Sequence, residues 1–313
     1  MKKKALIFGI TGQDGSYLAN LLIEKNYLVH GVARKKNLTN LKKLKISHKI
    51  KVNILKKNSD INQTNKILKK MFDEIYFCGG QSSVKDSFFN KEYETYESQV
   101  LPVQNILEFI RKSKKKIKFL YCSSSEIFGN HKNHKKLKET DRKNPVSPYA
   151  LAKLTGYEIV KSYREMFNLP VFSIILFNHE SPLRPETYII KKIVSGAEKI
   201  KNKKIKKLYL GNINIKRDWG WAPEYIQGFL KAMKSKSVND YIIATGKTIS
   251  LKDVIKIVFK NYKLNWKKYI GYNKKNLRKY DIKENYADIS LIKQKLQWSP
   301  KLKINHIISK INK

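Results

Sequence analysis

Tyr149 and Lys153 stand four residues apart in Ser147-Pro148-Tyr149-Ala150-Leu151-Ala152-Lys153, a spacing that puts both on one face of a helix. An ammonium held near a phenol lowers the phenol pKa, so that it can accept an alcohol proton at neutral pH. The pattern alone arises easily by chance in a chain with 18 Tyr. A second element therefore matters, and Ser123-Ser124-Ser125-Glu126 supplies it at the end of an apolar run. A hydroxyl of this run can bond the reacting oxygen and Glu126 adds a second base; the plainer reading of Glu126 is a helix or turn cap.

For these groups to meet, the chain must bring the end of that run to the start of that helix. Short apolar runs at 5–8, 27–33, 51–55, 74–78, 117–122 and 171–176 read as strands, and helical spacing appears at 16–24, 62–71, 96–111 and 148–167. Such alternation predicts an α/β fold with a doubly wound, parallel Rossmann sheet covered on both faces. The run Ser123-Ser124-Ser125-Glu126 then lies at the carboxyl edge, where such sheets bind ligands. After about residue 180 the pattern loosens, with helices expected at 224–233, 251–261 and 290–296 and a strand at 241–244. The expected division is a dinucleotide-binding domain over 1–177, with parts of 212–245 packing on it. A smaller substrate lobe takes 178–211 and 246–313, interleaved with the first.

Between the first strand and first helix lies Gly9-Ile10-Thr11-Gly12-Gln13-Asp14-Gly15. Glycines there allow a tight turn and close approach to a pyrophosphate, met by the N–H groups of the helix N-terminus. The spacing is GxxGxxG rather than GxGxxG, so the strand-turn-helix context carries the reading. NAD sites place an acid at the end of the second strand; here it ends Gly31-Val32-Ala33-Arg34-Lys35-Lys36. Arg34 can pair a 2′-phosphate bidentately, which favours NADP, although in so basic a chain any position can carry Lys or Arg by composition. Asp60-Ile61, after the third strand, is placed to meet the adenine, or Asp60 simply caps the next helix.

The 313 residues carry 66 Lys+Arg against 25 Asp+Glu, a formal charge of +41, yet 41% are hydrophobic, which excludes a generally disordered chain. So basic a protein invites a nucleic-acid reading. The lysines, however, come as dispersed pairs and triples (Lys42 and Lys43, Lys69 and Lys70, Lys274 and Lys275) rather than as one tract, and read as solvated faces. No nucleic-acid partner is expected. Cys78 and Cys122 are the only cysteines, and a reduced, cytoplasmic protein without a disulfide framework is expected. The apolar run after Lys2 to Lys4 is too short for a signal peptide, no segment reaches the ~18 residues of a membrane helix, and no membrane role is expected. His131-Lys132-Asn133-His134 lacks a third ligand, and no metal site is expected.

With these residues in place the chain resembles the extended short-chain dehydrogenase/reductase superfamily, and within it is similar to the GDP-mannose 4,6-dehydratase family. The similarity runs over nearly the whole chain: GITGQDGSYL (9–18), EIY…QSSV (74–84), SSSEIFG (123–129), SPYALAK (147–153), LFNHESP (176–182), LGN…KRDWG (210–220), IATG (243–246) and KLQWSP (295–300). The resemblance implies a nucleotide-sugar dehydratase with tightly held NADP and no net redox change. It makes Tyr149 the base for the sugar O4 proton and Lys153 the holder of the nicotinamide ribose, with Ser124 where the family has Thr. Glu126 becomes the group that removes the C5 proton and assists loss of the C6 hydroxyl. Ser82, Asn178, Arg217 and Arg278 match positions expected to grip the nucleotide-sugar. His179 reads as a packed, hydrogen-bonded turn residue, Glu180 and Ser181 as structural, and Trp219 as core. A homodimer or homotetramer is implied, with the 34–44 loop as one contact.

Several positions depart from the family pattern. Leu183-Arg184-Pro185 follows the NHESP motif where Arg-Arg-Gly is usual, Trp221 replaces a histidine, and Ser83 replaces another. The stretch from Trp266 to Arg278 is also short. An epimerase, a reductase or a decarboxylase on the same scaffold stays open as an alternative, although Glu126 argues against the first two. A silent NADP-binding or nucleic-acid-binding protein is the alternative from another class, against which the intact Tyr149 and Lys153 speak.

Overall fold

The first apolar run forms β1 (Lys4–Phe8), buried from Ala5 onward, and Gly9 turns the chain into α1 (Gln13–Glu24). β2 (Leu28–Ala33), α2 (Thr39–Lys43), β3 (Lys51–Ile54), α3 (Ile61–Leu68) and β4 (Glu74–Phe77) follow in this computed structural model. Then come α4 (Glu92–Gln99), α5 (Leu101–Lys112), β5 (Lys118–Ser124), α6 (Pro148–Phe167) and β6 (Val171–Leu176). Beyond them lie β7 (Asn178–Glu180), α7 (Ile189–Lys201), β8 (Leu208–Leu210), β9 (Lys216–Arg217), β10 (Trp219–Trp221), α8 (Ala222–Lys234) and β11 (Tyr241–Ile243). β12 (Ile249–Ser250), α9 (Leu251–Asn261), α10 (Trp266–Tyr269), β13 (Ile270–Tyr272), α11 (Ser290–Leu296) and α12 (Ile304–Lys310) complete the chain. The structure describes residues 2–57, 59–89, 91–131, 135–274, 277 and 280–312.

Seven strands form one parallel sheet in the order β11-β6-β5-β4-β1-β2-β3. The order reverses between β1 and β4, which opens a crevice at the carboxyl edge of the sheet. Strands covered on both faces must be apolar on both. Accordingly, one face packs Leu18 and Leu22 of α1 with Phe229 of α8, and the other packs Leu68 of α3, Ile106 of α5 and Val160 of α6. A second core joins Ile193 and Val194 of α7, Trp219, Val254 and Val258 of α9 and Ile307 of α12. Among the described residues no helix is long and apolar enough to cross a membrane.

The differences from the sequence reading have local causes. The single helix expected over 96–111 is two, α4 and α5, because Pro102 enters at the first turn of α5 and lacks the N–H that would continue the helix. α7 and α12 were not anticipated, although Ile190, Ile193, Val194, Ala197 and Ile200 mark a buried helical stripe. Residues 292–298 pack on the sheet face with α8 rather than in the second lobe to which 246–313 was assigned. Trp298 draws them there: its indole N–H donates to the Glu224 carbonyl at 3.1 Å and its ring meets Tyr225 edge-on at 5.9 Å. The Glu224 carboxylate accepts the N–H groups of Lys301 and Leu302 at 3.1 and 3.3 Å.

Candidate active site

α6 begins on a polar cap. Ser147 accepts the Ala150 N–H through its hydroxyl at 3.0 Å and Pro148 presets the first turn. That fixes Tyr149 and Lys153 one turn apart, 9% and 5% exposed. The Lys153 ammonium donates to the Cys122 carbonyl at 2.7 Å and lies 5.1 Å from the Tyr121 ring centroid and 6.0 Å from that of Tyr149. Gly156 makes room for this, since a Cβ there would strike the Tyr121 hydroxyl. Burial pulls the Lys153 ammonium down to about 8. Burial pushes the Tyr149 phenol up, while the hydrogen bond with Ser124 and the Arg184 cation pull it back. Cys78, directly after β4, and Cys122 of β5 are free thiols, their sulfurs 3.3 Å apart.

Ser124 ends β5 in extended conformation and its hydroxyl accepts the Glu126 N–H at 3.3 Å. Ser124, and not Glu126, thus caps the short turn over 125–128. Gly129 closes the turn at φ +64°, where a Cβ would collide with the Asn144 carbonyl. Ser124 bonds Tyr149, and the Glu126 charge, two residues on, raises the same phenol, so a hydroxyl and a carboxylate from one turn both act on it. Such a trio can take a proton from an alcohol and another from an adjacent carbon.

The glycine-rich turn fits a dinucleotide. Gly9 has φ +79°, and a Cβ there would lie 2.7 Å from the Cys78 carbonyl oxygen; one on Gly15 would run into the Gly9 carbonyl. Gly12 is the N-cap of α1 and offers no side-chain cap, leaving first-turn N–H groups for an anion. The Thr11 carbonyl accepts from Asn40 at 3.0 Å. Gln13 and Asp14 turn away from this turn towards β7: Ser181 donates to Gln13 at 2.7 Å and Asp14 pairs with His179 at 2.8 Å. Burial works against the Asp14 charge, but His179 and Arg184 hold its carboxyl down at about 2. Arg34, at the end of β2, pairs with Glu94 at 2.5 Å, both side chains about half exposed. Asp60 caps α3 by accepting the N–H and the side-chain amide of Gln63 at 2.9 and 2.6 Å, and Ile61 is exposed beside it. A glycine cradle with a guanidinium at the end of β2 suits NADP.

Of the residues expected to grip the sugar, Asn178 opens β7 in register with Trp219 of β10, and Trp219 itself is core. Ser82 and Tyr188 share a hydrogen bond at 2.8 Å, and the Arg184 guanidinium covers the Tyr188 ring at 3.7 Å. The sequence reading missed Tyr188 and gave Arg184 no role; both act on the Tyr149 phenol, and their place directly after the NHESP motif was the available signal. Arg217 is 3% exposed and donates to Asp281 at 2.8 Å and to the Lys216 carbonyl at 2.9 Å. Arg278 lies outside the described residues, as do 132–134 of the two-histidine loop. Asp218 accepts from the N–H groups of Thr245 at 2.8 Å and Gly246 at 2.7 Å and so secures the turn after β11. A separate cavity of about 720 Å³, lined by Ile61, Leu101 and Phe109 among others, contains none of Ser124, Glu126, Tyr149 and Lys153.

Comparison with known proteins yields a match of residues 6–311 to the family model for GDP-mannose 4,6 dehydratase. GDP-mannose 4,6 dehydratase of Drosophila melanogaster is 35% identical over 99% of this chain and 85% of its own length. GDP-mannose 4,6-dehydratase of Vibrio cholerae is 39% identical over 81% of this chain and 70% of its own. The structure of RMD from Pseudomonas aeruginosa complexed with NADPH aligns at a TM-score of 0.82, with 15% identity over 99% of this chain and 98% of that one.

Proposed function

The chain belongs to the GDP-mannose 4,6-dehydratase family, and from that premise we propose how its cleft converts GDP-mannose to GDP-4-keto-6-deoxymannose. Tyr149 accepts the proton of the sugar O4 hydroxyl while Ser124, bonded to the phenol, holds the same oxygen. NADP, held by the Gly9–Gly15 turn, Arg34 and Lys153, supplies when bound a reversible hydride acceptor, so the sugar loses water with no net redox change. A ketone at C4 makes the C5 proton acidic. Glu126 removes that proton and passes one to the departing C6 hydroxyl, so that water leaves across C5 and C6, and the resulting double bond regains the hydride lost from C4 at C6 and a proton at C5. Lys153 holds the nicotinamide ribose and the cationic field that Tyr149 needs as a base.

The observation that carries this reading is the hydrogen bond of Ser124 with Tyr149, made from the cap of the turn that carries Glu126; a Tyr/Lys pair alone would serve an epimerase or a reductase equally well. Ser82, Asn178 and Arg217 line the sugar-nucleotide side, with Arg217 sharing its charge between Asp281 and the diphosphate. Mass spectrometry of the product from GDP-mannose tests the assignment. A product lighter by one water, formed without consumption of NADPH, supports it; unchanged mass or complete inertness at high enzyme refutes it.

The assembly is a homodimer or homotetramer. Tyr93, Tyr96, Leu101 and Leu151, exposed on α4 to α6, supply an apolar contact face, and light scattering of a Leu151→Glu variant tests it. Free Cys78 and Cys122 suit a reduced, cytoplasmic setting.

A further inference from the structure

His179 sits in β7 directly after Asn178, 7% exposed, with its ring against Tyr225 of α8 at 5.0 Å. Its Nδ1 lies 2.7 Å from the Phe177 carbonyl oxygen and its Nε2 lies 2.8 Å from the Asp14 carboxylate. A carbonyl only accepts, and so does an ionised carboxylate, so both ring nitrogens must carry hydrogen. A ring with two N–H groups is an imidazolium. Gln13 reinforces the junction, donating to the His179 carbonyl at 3.4 Å while it accepts from Ser181 at 2.7 Å. The charged and titratable groups around the ring are Asp14 from α1, Glu180 on its own strand, Arg184 from the loop that follows and Tyr225 from α8. Burial and Arg184 oppose the charge, and Asp14 outweighs them, raising His179 above its ordinary value.

The consequence reaches both ligand sites. A bare carboxylate at Asp14, in the first turn of α1, would repel a diphosphate at the N-terminus of that helix. The imidazolium cancels that charge and ties the turn to the strand that begins with Asn178. We propose that His179 is a positioning residue, a cationic latch that holds the cofactor turn against the sugar-binding strand and screens Asp14 from the cofactor diphosphate. Its effect on turnover rests on the reading above, that this cleft works on GDP-mannose with NADP; its charge and its coupling to Asp14 do not.

Two readouts therefore avoid turnover. In the wild-type protein without ligands, the ring nitrogen and carbon NMR shifts of His179 should titrate with a midpoint above the ordinary ~6.5 that falls in Asp14→Asn; a wild-type midpoint at or below the ordinary value would overturn the proposal. Titration with NADP should show His179→Gln weakened by about tenfold, the scale of one partly buried charge at a helix N-terminus. The double variant with Asp14→Asn, which removes the unscreened carboxylate, should recover most of that loss. Unaltered binding in His179→Gln, or no recovery in the double variant, refutes the latch. Inertness towards GDP-mannose with both readouts as expected would count against the substrate assignment and leave the latch standing.

Discussion

The Lys153 ammonium donates to the Cys122 carbonyl at 2.7 Å, two residues before Ser124, where β5 meets the catalytic helix. One hydrogen bond thus joins the strand that ends in Ser124, just before the turn with Glu126, to the helix that carries Tyr149. Burial at this junction, not the hydrogen bond, brings the proton loss of the ammonium down to about 8.

The alkaline behaviour follows from that value. As pH rises through about 8, Lys153 loses its charge and with it the attraction for the cofactor, so NADP affinity should hold below pH 7 and weaken towards about tenfold per pH unit above 8. Calorimetric titration checks this, and Lys153→Met should bind weakly and without the alkaline limb. The stability term has the opposite sign. Between about 8 and the ordinary ~10.4 the unfolded chain binds the extra proton, so this residue's contribution rises with pH in that window.

Glu126 and Tyr149 should fail at different steps. Tyr149→Phe should slow oxidation at C4 by about 10²–10⁴-fold and leave no reduced nicotinamide in a single turnover. Glu126→Gln should still oxidise the sugar, so the absorbance of reduced nicotinamide appears and persists while no dehydrated product forms. Equal loss of both signals in the two variants would contradict separate roles.

The proposed contact of Arg34 with a 2′-phosphate requires it to leave Glu94. Arg34→Ala should lose about 10- to 100-fold in NADP affinity, the scale of charge-assisted hydrogen bonds, with little change for NAD. Glu94→Gln removes the competing carboxylate and should tighten NADP by no more than about fivefold, as expected of a half-exposed pair. Parallel titrations with both dinucleotides test the sign of each change.

Trp298 fastens the returning segment to the sheet face. Trp298→Ala should cost about 3–5 kcal/mol and lower the thermal midpoint by several degrees, measured by calorimetry. Glu224→Gln, which keeps the shape and drops the charge that accepts the Lys301 and Leu302 N–H groups, should cost less.

The residues legible in the sequence were those whose geometry is local. Tyr149 and Lys153 share a helical face by spacing alone, and Ser147-Pro148 announces the start of that helix. Ser124 could be placed because a strand ends there, and the glycines because the turn is short. The His179 pair with Asp14 spans 165 positions, and no periodicity encodes a contact set by where β7 passes α1. Arg217 meets Asp281 across 64 positions, and among so many basic residues its burial carried no local mark. α7 was hidden because lysines fill the spaces between its isoleucines and Gly196 interrupts them, although that glycine is where the Leu208 side chain packs.

The interleaving of the two cores bears on how the cleft can open. The chain leaves the sheet after β6, returns for α8 and β11, leaves again for α9 and returns for α11 before ending in α12. No single connection can act as a door post, since several strands of chain cross between the lobes and each is anchored at both ends. Such crossings favour small sliding displacements of packed elements over wide swinging of one core against the other.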